Sequence, residues 1–333
     1  MKVPQLKVKL EERGLSTVGR KAELISRLND EVPCSTAEQL VVAINAAATA
    51  PPRRAAKKRK QNFDASAEIL PASSPHNAMV PQLEAPAGWR STYDLIVELR
   101  ADRTAVVDTM GSEALADGAG SNMSKAERDY QTLVSLMLSS QTKDTVNAAT
   151  MLKLRAHGLS VSNILATPDE TLNELIREVG FHNNKVRFIK ESTRIIAESY
   201  GGKIPDSMGG LQSLPGVGPK MALIVMRVAF GKVEGISVDT HVHRICNQLG
   251  WVGDTPTKNP EKTRAAIQSW MPPEIWGDVN LLLVGFGQEI QTEKEKLLRK
   301  CLVCSDRKAA LDLVARCGLD VERHLAKIQP RLK

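Results

Sequence analysis

Apolar residues recur every three or four positions along most of the chain after Thr92, the spacing that places them on one face of an α-helix. Gly, Pro or Asn residues separate the periodic segments and mark turns. No run alternates apolar and polar residues as a half-buried strand requires. The main periodic segments are 128–138, 145–154, 169–179, 186–200 and 219–230. The pattern predicts an all-α body of about 240 residues built from short helices.

The first 33 residues have a helical pattern of their own. Leu6 and Leu10 precede a stop at Gly14, and a second periodic run covers 21–28. The segment resembles the SAP motif, a helix-extended-helix DNA-binding module. The matching positions are Leu10, Gly14, Leu15, Gly19, Lys21, Leu24, Ile25, Arg27 and Leu28. This resemblance implies attachment to the backbone of duplex DNA, with Arg20 and Lys21 exposed near the turn. The alternative is a small helical hairpin that only keeps the terminus soluble.

Residues 34–88 are rich in Ala, Pro and Ser and lack sustained periodicity, which predicts a disordered linker. Within 51–60, six cations fall in eight residues: Arg53, Arg54, Lys57, Lys58, Arg59 and Lys60. Cations this dense stay solvated and can bind an acidic groove or phosphates. We interpret the run as a nuclear localisation signal for an import receptor, which can also tether DNA. The alternative is a solvated charge run with no receptor.

The net charge of +7 lies in this leader. The chain has 45 Lys and Arg against 38 Asp and Glu, and residues 1–61 hold 13 of the former and 6 of the latter. Charges therefore balance from Asn62 onward, so binding of an acidic partner by the body would depend on local geometry and a few well-positioned cations.

Several classes of protein are disfavoured by the composition. No stretch approaches the roughly 18 apolar residues of a membrane span, and the N-terminus has no apolar signal core. The five Cys are an odd number and suit a reducing compartment. We expect a monomer of the nucleus with no membrane partner. A mitochondrial form is the alternative, which Glu11 and Glu12 disfavour because transit peptides are poor in acidic residues.

The most informative segment is 214–222, which reads Leu-Pro-Gly-Val-Gly-Pro-Lys-Met-Ala. Gly216 and Gly218 allow a tight turn before a helix, so the amides of Gly216, Val217 and Gly218 can face a phosphate at the helix N-terminus. Downstream, Asp239 can cap a further helix. These segments predict an anion-binding hairpin followed by a capped helix.

The two segments resemble the helix-hairpin-helix DNA glycosylase superfamily, and within it the endonuclease III branch of bifunctional glycosylase/AP lyases. Further matching stretches are 135–144, 179–185 and 282–288, so the likeness covers about 200 residues. It implies double-stranded DNA with damaged bases or abasic sites as the partner. It also implies a two-lobed all-α body over 89–333. One lobe of six helices covers about 125–232, the second combines 89–124 with 233–300, and a divergent Cys segment follows at 301–333.

The family's nucleophilic amine falls on Lys220 and its essential carboxylate on Asp239. A neutral amine can attack the sugar C1′, displace a base and form a Schiff base, from which β-elimination cuts the strand. Asp239 is anionic and does not favour the neutral amine, so its expected roles are proton acceptance and stabilisation of the cationic sugar. The alternatives are a phosphate-contacting Lys and a simple N-cap.

Removal of a base requires that its nucleotide leave the stack and that something fill the gap. By resemblance, Gln141 fills this gap and Phe181 occupies the family's second wedge position, where an apolar side chain stacks into the duplex. His241 resembles a residue near the family's pocket and phosphate path. The alternatives are a polar residue at a helix end for Gln141, a core aromatic for Phe181, and a cap or core residue for His241.

The family's [4Fe-4S] cluster is held by four Cys in the pattern C-x6-C-x2-C-x5-C. This chain has Cys301 and Cys304, then Cys317 after twelve further residues, and no Cys at 289–291 where the first ligand belongs. A cluster needs its thiolates at close, fixed reach. We therefore predict no cofactor, because the family cluster is lost.

His324 could join the three C-terminal cysteines in a zinc site, since zinc accepts three thiolates and one imidazole. Residues 305–315, however, have the spacing of an ordinary amphipathic helix. Free thiols are therefore the favoured alternative to a metal site.

The sequence as a whole predicts an enzyme that removes oxidised pyrimidines and nicks abasic DNA by β-elimination. A second interpretation is a purine-lesion glycosylase of the same superfamily, although adenine-removing relatives lack a Lys at the position of Lys220. A third is a non-catalytic protein that only attaches to DNA through its SAP-like unit and hairpin.

Overall fold

A computed structural model of the chain describes residues 83–117 and 123–328. These residues form helices joined by turns, and no strand occurs among them. The α-helices are α1 (Trp89–Leu99), α2 (Val106–Met110), α3 (Ser112–Asp117), α4 (Lys125–Ser139), α5 (Asp144–His157), α6 (Val161–Ala166), α7 (Asp169–Ile176), α8 (His182–Tyr200), α9 (Met208–Gln212), α10 (Pro219–Phe230), α11 (Thr240–Gln248), α12 (Pro260–Gln268), α13 (Trp276–Thr292), α14 (Lys294–Val303), α15 (Arg307–Arg316) and α16 (Val321–Ile328). The predicted all-α class is confirmed over this part of the chain.

The five main periodic segments of the sequence fall on α4, α5, α7, α8 and α10. Differences are confined to the ends, where local capping decides the boundary. The start of α4 lies upstream of the first apolar repeat because Ser124 and Glu127 form a capping box, with Ser124 Oγ accepting from Glu127 N at 3.2 Å. The predictions for Arg20, Lys21 and the cationic run at 53–60 lie outside the described residues.

Two apolar cores hold the described helices together. One is built from α4 to α10, and the other combines α1 with α11 to α16. Fully buried members of the first include Leu133, Leu138, Ile164, Leu172, Ile196 and Val225. Those of the second include Ile96, Ile236, Ile245, Leu283, Phe286 and Val314. Because burial of apolar area drives folding at about 25 cal/mol per Å², each core can stabilise its own group of helices.

A buried ionic cluster joins α1, α2, α13 and α14. The guanidinium of Arg100 donates to Glu289 Oε1 at 2.6 Å and to Asp108 Oδ1 at 2.8 Å, and Arg100 is completely buried. Lys300 Nζ donates to the same Glu289 oxygen at 3.1 Å. The Arg100 guanidinium also packs against Gly285, where no side chain would fit. These contacts fix the register of α13, whose middle reaches the site described below.

Among the described residues, the structure contains no helix with the length and apolar content needed to cross a membrane.

Candidate active site

A cavity of about 990 Å³ lies where the N-terminal ends of α5, α10 and α11 meet. Its lining includes Gln141, Asp144, Lys220, Asp239 and His241. Four of these five are residues that the sequence predicted for the site. The fold therefore gathers the Lys220 amine, the Asp144 and Asp239 carboxylates and the His241 imidazole around a single opening, beside three helix N-termini that favour negative charge.

The turn between α9 and α10 forms the predicted hairpin. Gly216 adopts φ 81°, and a Cβ there would lie 2.8 Å from the Phe188 ring, so both the conformation and the packing require Gly. Val217 N donates to Leu214 O at 3.1 Å, and the Val217 side chain is buried. The expectation of three free amides is therefore corrected. The Val217 N–H closes the turn itself, whereas the N–H groups of Gly216 and Gly218 donate to no described residue.

Lys220 is the second residue of α10, directly after Pro219 at the first position. Its side chain lines the cavity and is half-buried. It forms no hydrogen bond or ion pair with any residue in 83–117 or 123–328. The amine is thus available to a bound molecule, in the first turn of a helix whose dipole disfavours a positive charge.

Asp239 is the N-cap of α11. Its Oδ1 accepts a hydrogen bond from Val242 N at 2.8 Å, so the predicted capping role is present. Within the described chain, Oδ2 receives no hydrogen bond. One oxygen therefore fixes the carboxylate, and the other is available in the cavity.

Asp144 is a second carboxylate of the cavity that the sequence did not single out. Gln288 Nε2 donates to Asp144 Oδ2 at 2.8 Å, and Val107 N donates to Gln288 Oε1 at 2.9 Å, which fixes the orientation of the amide. Burial raises the pKa of Asp144, although the Gln288 hydrogen bond and the charges of Lys220 and His241 partly oppose this shift. A carboxyl held this way can carry a proton more readily than an exposed one.

Gln141 and Phe181 lie on neighbouring loops and share an unusual backbone conformation. Gln141 has φ 51° and Phe181 has φ 58°, the left-handed region that residues other than Gly seldom adopt. Phe181 is 61% exposed, so the core-aromatic alternative is wrong. Both residues border a second cavity of about 280 Å³. Two exposed side chains on strained backbone beside a cavity suit the predicted wedge roles, because such strain persists at functional sites.

His241 lines the large cavity and is half-buried. Its buried Nδ1 has no hydrogen-bond partner among the described residues. A Cβ on Gly287 would lie 2.8 Å from this nitrogen, so α13 approaches the imidazole closely only because position 287 is Gly. His241 does not cap α11, since Asp239 does.

The C-terminal cysteines do not fit the family's iron–sulfur cluster. The thiol of Cys301 faces Ala310 O at 3.9 Å and that of Cys304 faces Cys301 O at 3.3 Å. Burial raises the pKa of Cys301 to about 12 and that of Cys317 to about 11. No group of three or more His, Cys, Asp or Glu among the described residues is arranged to hold a metal ion, and His324 belongs to none.

The segment that should supply the first cluster ligand is instead regular helix. Positions 289–291 lie within α13, where Glu289 is buried against Arg100 and Ile290 is buried in the core. The predicted helix at 305–315 corresponds to α15. This helix lies between Cys304 and Cys317 in the sequence, and its Leu313 and Val314 are buried in the second core.

Two family models match this chain. The HhH-GPD superfamily base excision DNA repair protein model covers residues 134–273, and the SAP domain model covers residues 1–32. The SAP resemblance inferred from the sequence is thus confirmed.

The chain is also similar in sequence to curated endonuclease III proteins. Endonuclease III-like protein 1 of Gallus gallus is 44% identical over 254 residues, which is 76% of this chain and 87% of the relative. The Bos taurus protein of that name is 51% identical over 204 residues, and the match spans 61% of this chain and 66% of the relative. The endonuclease III homolog of Schizosaccharomyces pombe is 42% identical, covering 74% of this chain and 69% of its own.

Two solved structures share the fold. A non-covalent endonuclease III–DNA complex superposes with a TM-score of 0.54 at 23% identity, covering 72% of this chain and 97% of that one. An endonuclease III trapped as a covalent intermediate with DNA gives 0.53 at 24% identity, covering 68% and 93%.

Proposed function

Since this chain belongs to the endonuclease III family of base excision DNA repair glycosylases, we propose that it removes oxidised pyrimidines through a Schiff base on Lys220 and cuts the strand by β-elimination. The observation that carries this proposal is that one cavity holds two unused groups. One is an amine with no partner among the described residues, and the other is a carboxylate oxygen that accepts no hydrogen bond from them. Lys220 and Asp239 stand in the first turn and at the cap of two helices that open onto one cavity.

The proposed sequence begins when the neutral Lys220 Nζ attacks C1′ of the flipped nucleotide. The C1′–N bond to the base breaks, its electron pair leaves with the base, and the departing base takes a proton from solvent water. The Asp239 oxygen that faces the cavity stabilises the positive charge on the sugar and accepts the proton released by the attacking nitrogen. The C1′–O4′ bond then breaks as the C1′–nitrogen double bond of the Schiff base forms, and Asp239 returns its proton to O4′.

Strand cleavage follows from the same intermediate. Loss of a proton from C2′ sends an electron pair into the new C2′–C3′ double bond and expels the 3′ phosphate. Asp144 is the group we propose to exchange this proton, because burial raises its pKa and Gln288 holds it in the cavity that Lys220 also lines. Water then releases the sugar fragment and restores Lys220.

DNA is the partner that the rest of the chain would hold. The unused N–H groups of Gly216 and Gly218 could bind a phosphate of the backbone. Gln141 would fill the gap left by the flipped nucleotide, and Phe181 would stack between bases of the duplex. We further propose that the SAP domain at 1–32 and the cations at 53–60 supply long-range attraction, and that those cations direct import to the nucleus. The protein would act as a monomer.

Borohydride trapping on an abasic oligonucleotide tests the amine directly. The wild type should give a covalent adduct, and Lys220→Gln should give none, because the amide cannot form a Schiff base. The proposal fails if the wild type gives no adduct or if Lys220→Gln traps at full yield. An excision panel of thymine glycol, oxidised cytosines and 8-oxoguanine separates the pyrimidine specificity from the purine alternative.

The excision assay can separate the capping role of Asp239 from its catalytic role. Asn is as good an N-cap as Asp, so Asp239→Asn should keep α11 intact and lower single-turnover excision by roughly 10²-fold or more. Asp306 caps α15 in the same way, accepting from Ala309 N at 2.9 Å, and borders neither cavity. Asp306→Asn is therefore the matched control, with activity expected to match the wild type.

A further inference from the structure

Lys185 is a buried cation that the proposed chemistry does not use. Only 5% of the residue is exposed, yet its Nζ has no carboxylate partner among the described residues. It donates to Leu138 O at 2.7 Å, Ser140 O at 2.6 Å and Thr142 Oγ1 at 3.2 Å. The ammonium therefore caps the C-terminus of α4 and binds both neighbours of Gln141.

The Gln141 loop is also joined to the loop that carries Phe181. Thr142 Oγ1, which accepts from Lys185, accepts in addition from Gly180 N at 3.3 Å. A Cβ at Gly180 would overlap the carbonyl oxygen of Gln141, so the two loops are in direct backbone contact. The same buried ammonium thus supports both residues of positive φ beside the small cavity.

One face of α8 connects this loop to the hairpin. Lys185, Phe188 and Ser192 follow one another at intervals of three and four residues, which places them on one side of the helix. The Phe188 ring packs on Gly216, and Ser192 Oγ donates to Pro215 O at 3.0 Å. A single rigid element therefore sets the distance between the Gln141 loop and the phosphate-binding turn.

We infer that Lys185 is a positioning residue, which holds Gln141 in its left-handed conformation and in register with the hairpin so that Gln141 enters the duplex as the nucleotide flips. A strained backbone persists only where surrounding contacts over-determine it. Three charge-assisted hydrogen bonds around one residue provide that constraint. This inference rests on the proposed function, because it assigns Lys185 to the step that precedes attack by Lys220.

The cost of burying Lys185 supports a role beyond ordinary capping. Burial lowers its pKa to about 8, so the folded protein gives up part of the solvation that a surface Lys would keep. Such a cost is typical of positions that serve a site.

The chain supplies a matched control on the same helix. Lys190 Nζ donates to Ile164 O at 3.0 Å, Leu165 O at 3.0 Å and Thr167 O at 2.7 Å, which is a similar three-acceptor cap at the end of α6, although Asp169 Oδ1 also lies 3.8 Å from this Nζ. Lys190 borders neither cavity. Lys190→Met therefore removes a similar cap without touching the Gln141 loop.

The test measures flipping apart from chemistry, in the full-length protein. The duplex carries a tetrahydrofuran abasic analogue, which cannot form a Schiff base, opposite 2-aminopurine, whose fluorescence rises when it unstacks. We expect Lys185→Met to slow this rise by roughly tenfold or more, and Lys190→Met to leave it within about twofold. Borohydride trapping on a single-stranded abasic oligonucleotide, where nothing need be flipped, should stay within about twofold for both variants.

A double-mutant cycle identifies the residue through which Lys185 acts. In a Gln141→Ala background, Lys185→Met should cause little further slowing, because the side chain it positions is gone. Thr142→Val removes only one acceptor of Lys185, so it should also slow the fluorescence rise, but by a smaller factor. This variant replaces Lys185→Met in the test if Lys185→Met does not fold.

Three results would overturn the inference: an unchanged fluorescence rate in Lys185→Met and Thr142→Val, an equal loss of single-strand trapping, or fully additive effects with Gln141→Ala. Failure of the proposed function is distinguishable, because it would appear as absence of trapping in the wild type. The fluorescence measurement needs no Schiff base and would still decide the role of Lys185.

Discussion

At Asp239 one carboxylate can serve two purposes because its oxygens face different surroundings. Oδ1 accepts from Val242 N and starts α11, while Oδ2 receives no hydrogen bond from the described chain. The capping and catalytic interpretations of the sequence are therefore compatible. The cap was predictable because it depends on residues three positions apart.

We expect the charged form of Asp144 to lower the stability of the fold, although the residue belongs to the candidate site. Its pKa is raised by burial, so its contribution to stability is fully present below the ordinary value of 3.8 and is lost as the pH rises through the higher folded value. We expect Asp144→Asn to raise the midpoint of thermal unfolding at pH 7, with the gain disappearing near pH 4. The same variant should slow strand cleavage by about tenfold or more.

Asp102 is the control of opposite sign. Burial raises its pKa, but the hydrogen bond and charge of Lys300 outweigh this, and the net shift is downward. Its contribution is therefore present at neutral pH and is lost as the pH falls, so Asp102→Asn should lower the unfolding midpoint at pH 7. Equal responses of the two variants would contradict the assignment of Asp144.

At the scale of elements, α13 covers positions 289–291, where the sequence comparison expects the first cluster ligand. The helix continues to Thr292, and Glu289 within it ties α1 to α14 through Arg100 and Lys300. Helices α14 to α16 then bury their own apolar residues against the second core, among them Leu297, Leu298, Leu313 and Ile328. The ionic cluster and the apolar packing hold the helices of this region together.

Glu289→Gln should therefore destabilise the protein strongly. Removing one partner leaves the Arg100 charge buried and undercompensated, which costs about 3–5 kcal/mol in comparable sites. Urea unfolding measures the effect. Glu178 is the matched control, because its pair with Lys153 at 3.0 Å is 51% exposed on the Glu side, and Glu178→Gln should cost less than about 1 kcal/mol.

The same unfolding experiment tests whether the cysteine segment binds a metal. The cysteine segment that we predict to be cluster-free should unfold at the same urea concentration with and without EDTA, and elemental analysis should find neither iron nor zinc in stoichiometric amount. About four Fe per chain would contradict the loss of the cluster, and a chelator-dependent midpoint or about one Zn per chain would contradict the prediction that the segment binds no metal.

At the scale of the whole molecule, charge and chemistry are divided between two parts of the chain. Residues 1–61 hold the whole net charge of +7, and residues 134–273 match the glycosylase family model. Deleting 1–61 should weaken DNA affinity and flatten its salt dependence, because fewer counterions are released. Single-turnover excision on saturated enzyme should change little, and equal loss of both would show that the leader contributes to the active site.

The sequence by itself determined the main helices, the tight turn at Gly216, the cap at Asp239 and the family, because each depends on residues close together or on ordered motifs. It also placed Lys220 in the first turn of a helix. It left open whether Phe181 is buried, and it predicted one free amide too many in the hairpin.

Only the tertiary structure decided which distant groups meet. Gln288 reaches Asp144 across 144 positions, Arg100 reaches Glu289 across 189, and Lys185 reaches Leu138 across 47. No local pattern marks these partners, since the periodicity of one helix does not state which helix packs against it. Packing of the two cores makes the choice, and with it the pKa of Asp144, the burial of Lys185 and the shape of the cavity.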